Sequence, residues 1–364
     1  MPSVLIFCKT LLKGGAEKQA LALSKLLVEK NISLVLISWC GSKIDTSNDK
    51  FIHDNSIKFI GLKGSPFKKF AILKKIIREE NITLILAYLT KANLIAGVAK
   101  LFFKDLITVG GIRTEQFPFY KLLIEKYVHN HLNDMTVFNN YSGKNKFERR
   151  GFVPEKIFVI HNTIHIPEFK VNTEITDEIR LVSVCRFVKS KDFRTALYSF
   201  RQLVDNNQGV KLKYYIVGYG PLEEYIRNLV AKLDLHDEVQ ILIKPSNIPE
   251  LLNSSDIYLS TSLYEGLSNS IMEAMVAGLP VVATNVGDNS YLIRDGYNGY
   301  IVPCWDIDMV VEKLNYLVQN ESIRQEYGIN SHSIIENDFS EEKFLGNYYD
   351  LFIKLNARDF SNSH

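Results

Sequence analysis

The chain has 364 residues, 46% hydrophobic and 23% charged, which exceeds a usual single domain and excludes a disordered or disulfide-stapled miniature class. Its net charge of +2 hides an asymmetry: residues 1–170 carry 26 Lys and Arg against 14 Asp and Glu, and residues 171–364 carry 17 against 27. Cys8, Cys40, Cys185 and Cys304 form no C-x-x-C pair, and no run reaches the ~18 apolar residues of a membrane span, so zinc, disulfide and membrane-spanning classes are set aside.

In chain order, residues 3–8 (SVLIFC) read as a buried strand, followed by the loop KTLLKGGAEKQ and a leucine-rich helix. Further strands are expected at 33–39, 82–87, 106–110, 135–138 and 157–160, with helices near 66–79, 91–103, 117–132 and 141–149. Such alternation implies a mostly parallel sheet covered on both faces. The pattern lapses over IHIPEFKVNTEITDEI (164–179) and then restarts. Strands follow at 180–185, 213–217, 239–243, 256–261, 280–284 and near 299–302. Helices are expected at 191–205, 221–233, 247–253 and 269–277, and 307–319, 321–336 and 341–355 close the chain. The expected division is a first domain over 1–165, a linker over 166–179, a second domain over 180–340 and a terminal helical segment over 341–364. The opening run MPSVLIFCKT is too short for a signal peptide, so a cytoplasmic protein, soluble or peripheral to a membrane, is expected.

Within SPFKKFAILKKIIREE (65–80), Phe67, Phe70, Leu73 and Ile77 can share a helix face flanked by Lys68, Lys69, Lys75 and Arg78. This reads either as a surface helix packed on a core or as an interfacial membrane helix. The basic first half suits an anionic partner: a membrane surface, a phosphorylated acceptor or nucleic acid.

Three loops of the second half follow predicted strands and hold what a diphosphate needs. Arg186 and Lys191 offer a planar fork and a compact charge for phosphate oxygens. Gly218-Tyr219-Gly220-Pro221 supplies a tight turn. Ser262–Val282 reads SLYEGLSNSIMEAMVAGLPVV, with Glu265 in a loop, Gly266, Leu267, Ser268 and Asn269 opening a helix, and Glu273 about two turns along it. A helix N-terminus favours anions, and the two carboxylates can accept from hydroxyl groups. The plain alternative for each loop is an ordinary αβ connection with solvated charges. Asp306-x-Asp308 looks like a metal motif but reads better as a helix cap, and His161 and His165 read as structural.

These motifs resemble the family 4 glycosyltransferases, over nearly the whole chain and most strongly from Leu181 to Pro303. CRFVKSKDF (185–193), IVGYGP (216–221), EGLSNSIMEAMVAGLPVVAT and DGYNGYIVP (295–303) carry the likeness, with KGGAE (13–17), LTKAN (89–93) and HNTIH (161–165) in the first half. The resemblance implies a GT-B fold: α/β, two Rossmann-like parallel-sheet domains facing across a cleft, with the C-terminal helix crossing back to the first. It implies a retaining transfer of a sugar from a UDP-sugar, with no cofactor and no metal required. Arg186 and Lys191 would hold the diphosphate, Glu265 the donor sugar, Gly266 to Asn269 phosphate and sugar, and Glu273 the ribose. Lys244 would lie beside the base, and Gly14 and Gly15 would let the first loop approach the diphosphate. The implied acceptor is a glycan, lipid-linked at the inner face of the membrane, in bacterial surface polysaccharide assembly, and nucleic acid is not expected.

Three departures stand out. The loop after strand 82–87 is Tyr88-Leu89-Thr90, without the histidine common in the family, which leaves the acceptor-side chemistry unassigned. Tyr291 replaces a glutamate of a Gly-Gly-x-x-Glu segment, and Cys185 replaces the glycine before the arginine. A nucleotide-sugar epimerase or hydrolase of the same design, and a two-lobed binding protein without catalysis, remain as competing readings.

Overall fold

A computed structural model of the chain describes residues 2–113, 117–167 and 178–361, with side chains of the last helix as far as Leu355. The chain divides into two compact units, Met1–Thr163 with Glu341–His364, and Ile164–Ser340. Most of the segment expected as a linker, 168–177, lies outside the described residues. Ile164 and Ile166 pack against the core of the second unit, and the Ile164 amide donates to the Phe339 carbonyl at 3.3 Å.

In chain order the first unit runs β1 (Val4–Cys8), α1 (Gly15–Glu29), β2 (Leu34–Ser38), α2 (Thr46–Asp54), β3 (Phe59–Gly61), α3 (Pro66–Glu79), β4 (Leu84–Tyr88), α4 (Thr90–Lys100), β5 (Ile107–Ile112), α5 (Phe119–Tyr127), β6 (Met135–Phe138), α6 (Tyr141–Glu148) and β7 (Ile157–Val159). Its strands form one parallel sheet in the order β3-β2-β1-β4-β5-β6-β7. Side chains alternate across a strand, so Val4, Ile6 and Cys8 enter one core cluster while Leu5 and Phe7 enter another. Helices cover both faces, which is why these strands are near-continuous apolar runs.

The second unit runs β8 (Glu178–Arg186), α7 (Phe193–Asn206), β9 (Lys211–Tyr219), α8 (Glu223–Lys232), β10 (Val239–Ile243), α9 (Ile248–Asn253), β11 (Ile257–Ser260), α10 (Asn269–Val276), β12 (Val281–Thr284), α11 (Asn289–Leu292), β13 (Gly299–Val302), α12 (Ile307–Gln319) and α13 (Glu321–Asp338). Its parallel sheet has the order β10-β9-β8-β11-β12-β13. In both units the order reverses beside the first strand, between β1 and β4 and between β8 and β11. That reversal is the crevice where open α/β sheets bind ligands. The final helix, α14 (Glu341–Ser361), belongs to the first unit: Phe344, Leu345, Tyr348, Leu351, Phe352 and Leu355 are buried in its core, and Lys25 pairs with Glu341 at 3.2 Å.

Several expectations change in detail. Helix α2 and strand β3 were not expected. α2 buries only Ile52 and starts on an Asp45 cap that accepts from the Ser47 amide at 3.0 Å, so no apolar stripe announces it. The helix expected over 117–132 is α-helical only to Tyr127 and continues as a π-helical turn, Val128–Leu132. There His129 points inward, with Nδ1 2.8 Å from Thr136 Oγ1 and Nε2 3.0 Å from the Val153 carbonyl. In α3, Leu73, Ile76 and Ile77 are buried, but Phe67 is 89% exposed and stands off the core. Asp306 caps α12, its carboxylate accepting from the Met309 amide at 2.9 Å, as the helix-cap reading required.

Candidate donor site in the second unit

Strands β8 and β11 flank the reversal of the second sheet, and the loops that follow them build the site. β8 ends at Arg186, and the chain passes through a 3-10 turn, Lys189–Lys191, into Asp192. Asp192 adopts a left-handed φ of 45° and caps α7, accepting from the Thr195 amide at 3.3 Å and hydroxyl at 2.6 Å. The cap turns the chain back over β11. Thr261, just past β11, holds it there: its Oγ1 is 3.0 Å from the Lys191 carbonyl and 2.9 Å from that of Asp192. The Leu263 amide donates to the Ser190 carbonyl at 2.7 Å. These bonds bring Lys191 Nζ to 2.5 Å from Glu265 Oε1, with the two side chains only 17% and 14% exposed. A lysine and a glutamate 74 positions apart thus form one largely desolvated ion pair.

The Glu265 loop is fixed from β12 as well. Thr284 Oγ1 donates to the Ser262 carbonyl at 2.5 Å, and the Asp288 amide to the Gly266 carbonyl at 2.9 Å. Gly287, φ 57°, passes so close that a Cβ there would lie 2.4 Å from the Glu265 carbonyl oxygen. Leu267 is buried in the core, so only its backbone remains for a ligand. Ser268 occupies the N-cap of α10, yet its hydroxyl makes no cap hydrogen bond and lies 3.3 Å from Ser270 Oγ. Asn269 is exposed at the start of α10, and Glu273 is half-buried on its second turn.

The third loop is a pair of close approaches. Gly218 has φ 154°, and a Cβ on it would lie 1.8 Å from the Cys185 carbonyl oxygen; one on Gly220 would lie 2.6 Å from that of Phe187. Only glycine lets β9 turn this tightly against β8. Lys244, at a left-handed φ of 46°, donates its amide to the Gly218 carbonyl at 3.2 Å, and its ammonium sits 4.6 Å from the Tyr219 ring centre.

The second-unit residues expected from sequence therefore fall at strand ends (Arg186, Gly218), in the loops that follow (Lys191, Lys244, Glu265 to Ser268) and on α10 (Asn269, Glu273), and Lys191 and Glu265 touch. Arg186 is exposed there and, among the described residues, has no ion pair. Burial, followed by the Lys191 and Glu265 charges acting in opposite senses, pushes the Cys185 thiol up to about 12, so it stays a neutral wall beside the pair. Gly14 and Gly15 lie in the first unit. Gly14 caps α1 in extended conformation, and a Cβ on it would meet the Glu17 carboxylate at 2.3 Å. Tyr291 is about half exposed. Thr261 and Thr284 were not singled out for the site, and Gly287 only as part of the segment that departs from Gly-Gly-x-x-Glu; the hydroxyl residues at the ends of β11 and β12 were the available signal.

Residues 166–333 match the model of the family described as "Glycosyl transferases group 1". The match spans nearly the whole of the second unit. The chain is 25% identical over 355 residues to the capsular polysaccharide biosynthesis glycosyltransferase CapM of Staphylococcus aureus, covering 90% of this chain and 92% of that one. It is 27% identical over 156 residues to UDP-Gal:alpha-D-GlcNAc-diphosphoundecaprenol alpha-1,3-galactosyltransferase of Escherichia coli, 43% of this chain and 40% of the relative. It spans about half the length of several other curated relatives that it matches. Among solved structures, Anabaena Alr3699/HepE in complex with UDP superposes with a TM-score of 0.81 at 18% identity, covering 97% of this chain and all of that one. That likeness gives the two units the GT-B fold.

Proposed function

We propose that the chain is a glycosyltransferase that moves a sugar from a UDP-sugar to a glycan acceptor, with retention of anomeric configuration, in bacterial surface polysaccharide assembly. The observation that carries the reading is the Lys191–Glu265 pair, held at 2.5 Å where the second sheet reverses. Lys191 supplies a localised positive charge for the donor diphosphate, and the exposed Arg186 a fork for its other oxygens; together they stabilise the charge that develops as the diphosphate leaves. Glu265 spends one carboxylate oxygen on Lys191 and presents the other to donor-sugar hydroxyls. The backbone from Gly266 to Asn269 faces phosphate and sugar, and Glu273 accepts from the ribose hydroxyls. Charge neutralisation by these two cations lets transfer proceed without a metal. A leaving phosphate oxygen takes the proton of the attacking acceptor hydroxyl on the same face of the sugar, which gives retention.

CapM, by its name, and the diphosphoundecaprenol galactosyltransferase support a polysaccharide product and a lipid-linked acceptor. The HepE complex with UDP supports the nucleotide. The basic first unit suits an acceptor carrying phosphate at an anionic membrane face. The test is incubation with UDP-sugars and a lipid diphosphate glycan, with and without EDTA. Transfer unaffected by EDTA, with the product linkage in the donor's anomeric configuration by NMR, is expected. Inverted product, or epimerised donor with no transfer, overturns the reading.

A further inference from the structure

The C-terminal edge of the first sheet gathers Cys8 at the end of β1, Tyr88 at the end of β4 and Arg113 just beyond β5. β1 and β4 flank the reversal of strand order, where a ligand crevice is expected. Arg113 is partly buried there and held on three sides. Its Nη1 donates to Asn162 Oδ1 at 2.7 Å, its Nη2 to the Tyr348 hydroxyl at 3.4 Å, and its guanidinium carbon lies 5.2 Å from the Tyr88 ring centre. Tyr88 and Tyr348 join their hydroxyls at 3.2 Å. These partners are an amide and two phenols, and none brings a negative charge.

Burial raises the Tyr88 hydroxyl well above its ordinary range and likewise raises the Cys8 thiol, so neither ionises near neutral pH. Among the described residues no carboxylate pairs with Arg113, and its buried Nε has no hydrogen-bond partner. Other partly buried cations of the chain are treated differently: Lys191 meets Glu265, Arg180 meets Glu178 and Lys100 meets Asp134. The bonds to Asn162 and Tyr348 return only part of the hydration that a guanidinium loses when it is taken from water with no carboxylate paired to it among the described residues. Arg113 is nonetheless oriented by three neighbours, one of them on α14.

We propose that Arg113 is an anion anchor for a phosphate or diphosphate group at the C-terminal edge of the first sheet. Two of its five N–H groups are engaged by neutral acceptors, which fix the fork and leave its charge for the ligand. The donor's diphosphate and the acceptor's phosphate share this chemistry. The inference rests on the proposed function only in naming those two sources.

The full chain is titrated calorimetrically with pyrophosphate, UDP and farnesyl diphosphate as wild type, Arg113→Lys and Arg113→Gln, with thermal melting as the folding control. Arg113→Gln is expected to weaken pyrophosphate about tenfold, the worth of a charge-assisted bond to phosphate, and Arg113→Lys less. UDP weakened in parallel assigns the anchor to the donor; farnesyl diphosphate weakened with UDP unchanged assigns it to the acceptor. A folded Arg113→Gln chain that binds all three ligands as wild type does overturns the proposal, as does a wild type that binds none of them. Should Arg113→Gln not fold, Arg113→Lys decides, because it keeps the charge and loses the fork: about threefold weaker binding supports the anchor and unchanged binding overturns it. Sugar transfer enters none of these measurements, so failure of the transferase reading shows separately as absence of product.

Discussion

Lys191 and Glu265 each satisfy the other's charge in a site largely closed to water, so neither can be removed cleanly. Lys191→Ala and Glu265→Ala are each expected to lower kcat/KM about 100-fold or more, the usual cost of one charge-stabilising group. The double variant should lose much less than the product of the two, because the groups act as a unit; full additivity in a double-mutant cycle would argue against the pair. Gly218→Ala must place a Cβ against the Cys185 carbonyl at a φ of 154°, so it should destabilise the second unit by at least ~2 kcal/mol and lower its melting temperature by several degrees. His129 tests the core of the first unit. Burial holds its imidazole neutral, with the pKa lowered to about 4. The unfolded chain takes up a proton near the ordinary histidine value while the folded chain does not. Stability is therefore full above about pH 6.5 and falls as the pH drops toward 4, by on the order of 3 kcal/mol for this group. Denaturant melts of wild type and His129→Gln across that range should converge at low pH.

Among the helices, α3 and α5 use their apolar side chains differently. The lysine-flanked α3 packs Leu73, Ile76 and Ile77 on the core, as an ordinary surface helix does. α5 instead leaves Phe119, Tyr120, Leu123, Ile124 and Tyr127 between 38% and 75% exposed, with Lys121 and Lys126 among them. Aromatic and aliphatic side chains mixed with lysines suit the headgroup region of an anionic bilayer, so we propose α5, rather than α3, for any peripheral membrane contact of the basic first unit. The expected outcome is salt-sensitive flotation of the protein with anionic liposomes, lost in Phe119→Ser/Leu123→Ser and kept in Phe67→Ser. Flotation that depends on Phe67 would return the contact to α3. Neither helix could be assigned from periodicity, because both offer a plausible apolar stripe and only packing shows which one the core uses.

At the scale of the whole molecule, the first unit is closed by a helix that ends the chain. Six apolar side chains of α14 are buried in its core, at roughly 1.5–3 kcal/mol each, which together is comparable to the entire stability of a domain. A chain cut after residue 340 should therefore aggregate or elute as a swollen species on gel filtration. A monodisperse, normally melting product would show that α14 is dispensable. The sequence by itself determined the two parallel-sheet units, because buried βα repeats carry continuous apolar strands and periodic helices that no other class needs. It also placed Arg186 and Gly218 at strand ends, Lys191 and Glu265 in the loops that follow strands and Glu273 on the helix after, since glycine turns and helix starts are local signals. The return of α14 to the first unit was implied by the family resemblance, whereas strand order, the meeting of Lys191 with Glu265 and the placing of Arg113 where no carboxylate among the described residues pairs with it were decided only in three dimensions. Each depends on contacts between residues tens to hundreds of positions apart, and no local preference encodes which distant strand end will become a neighbour.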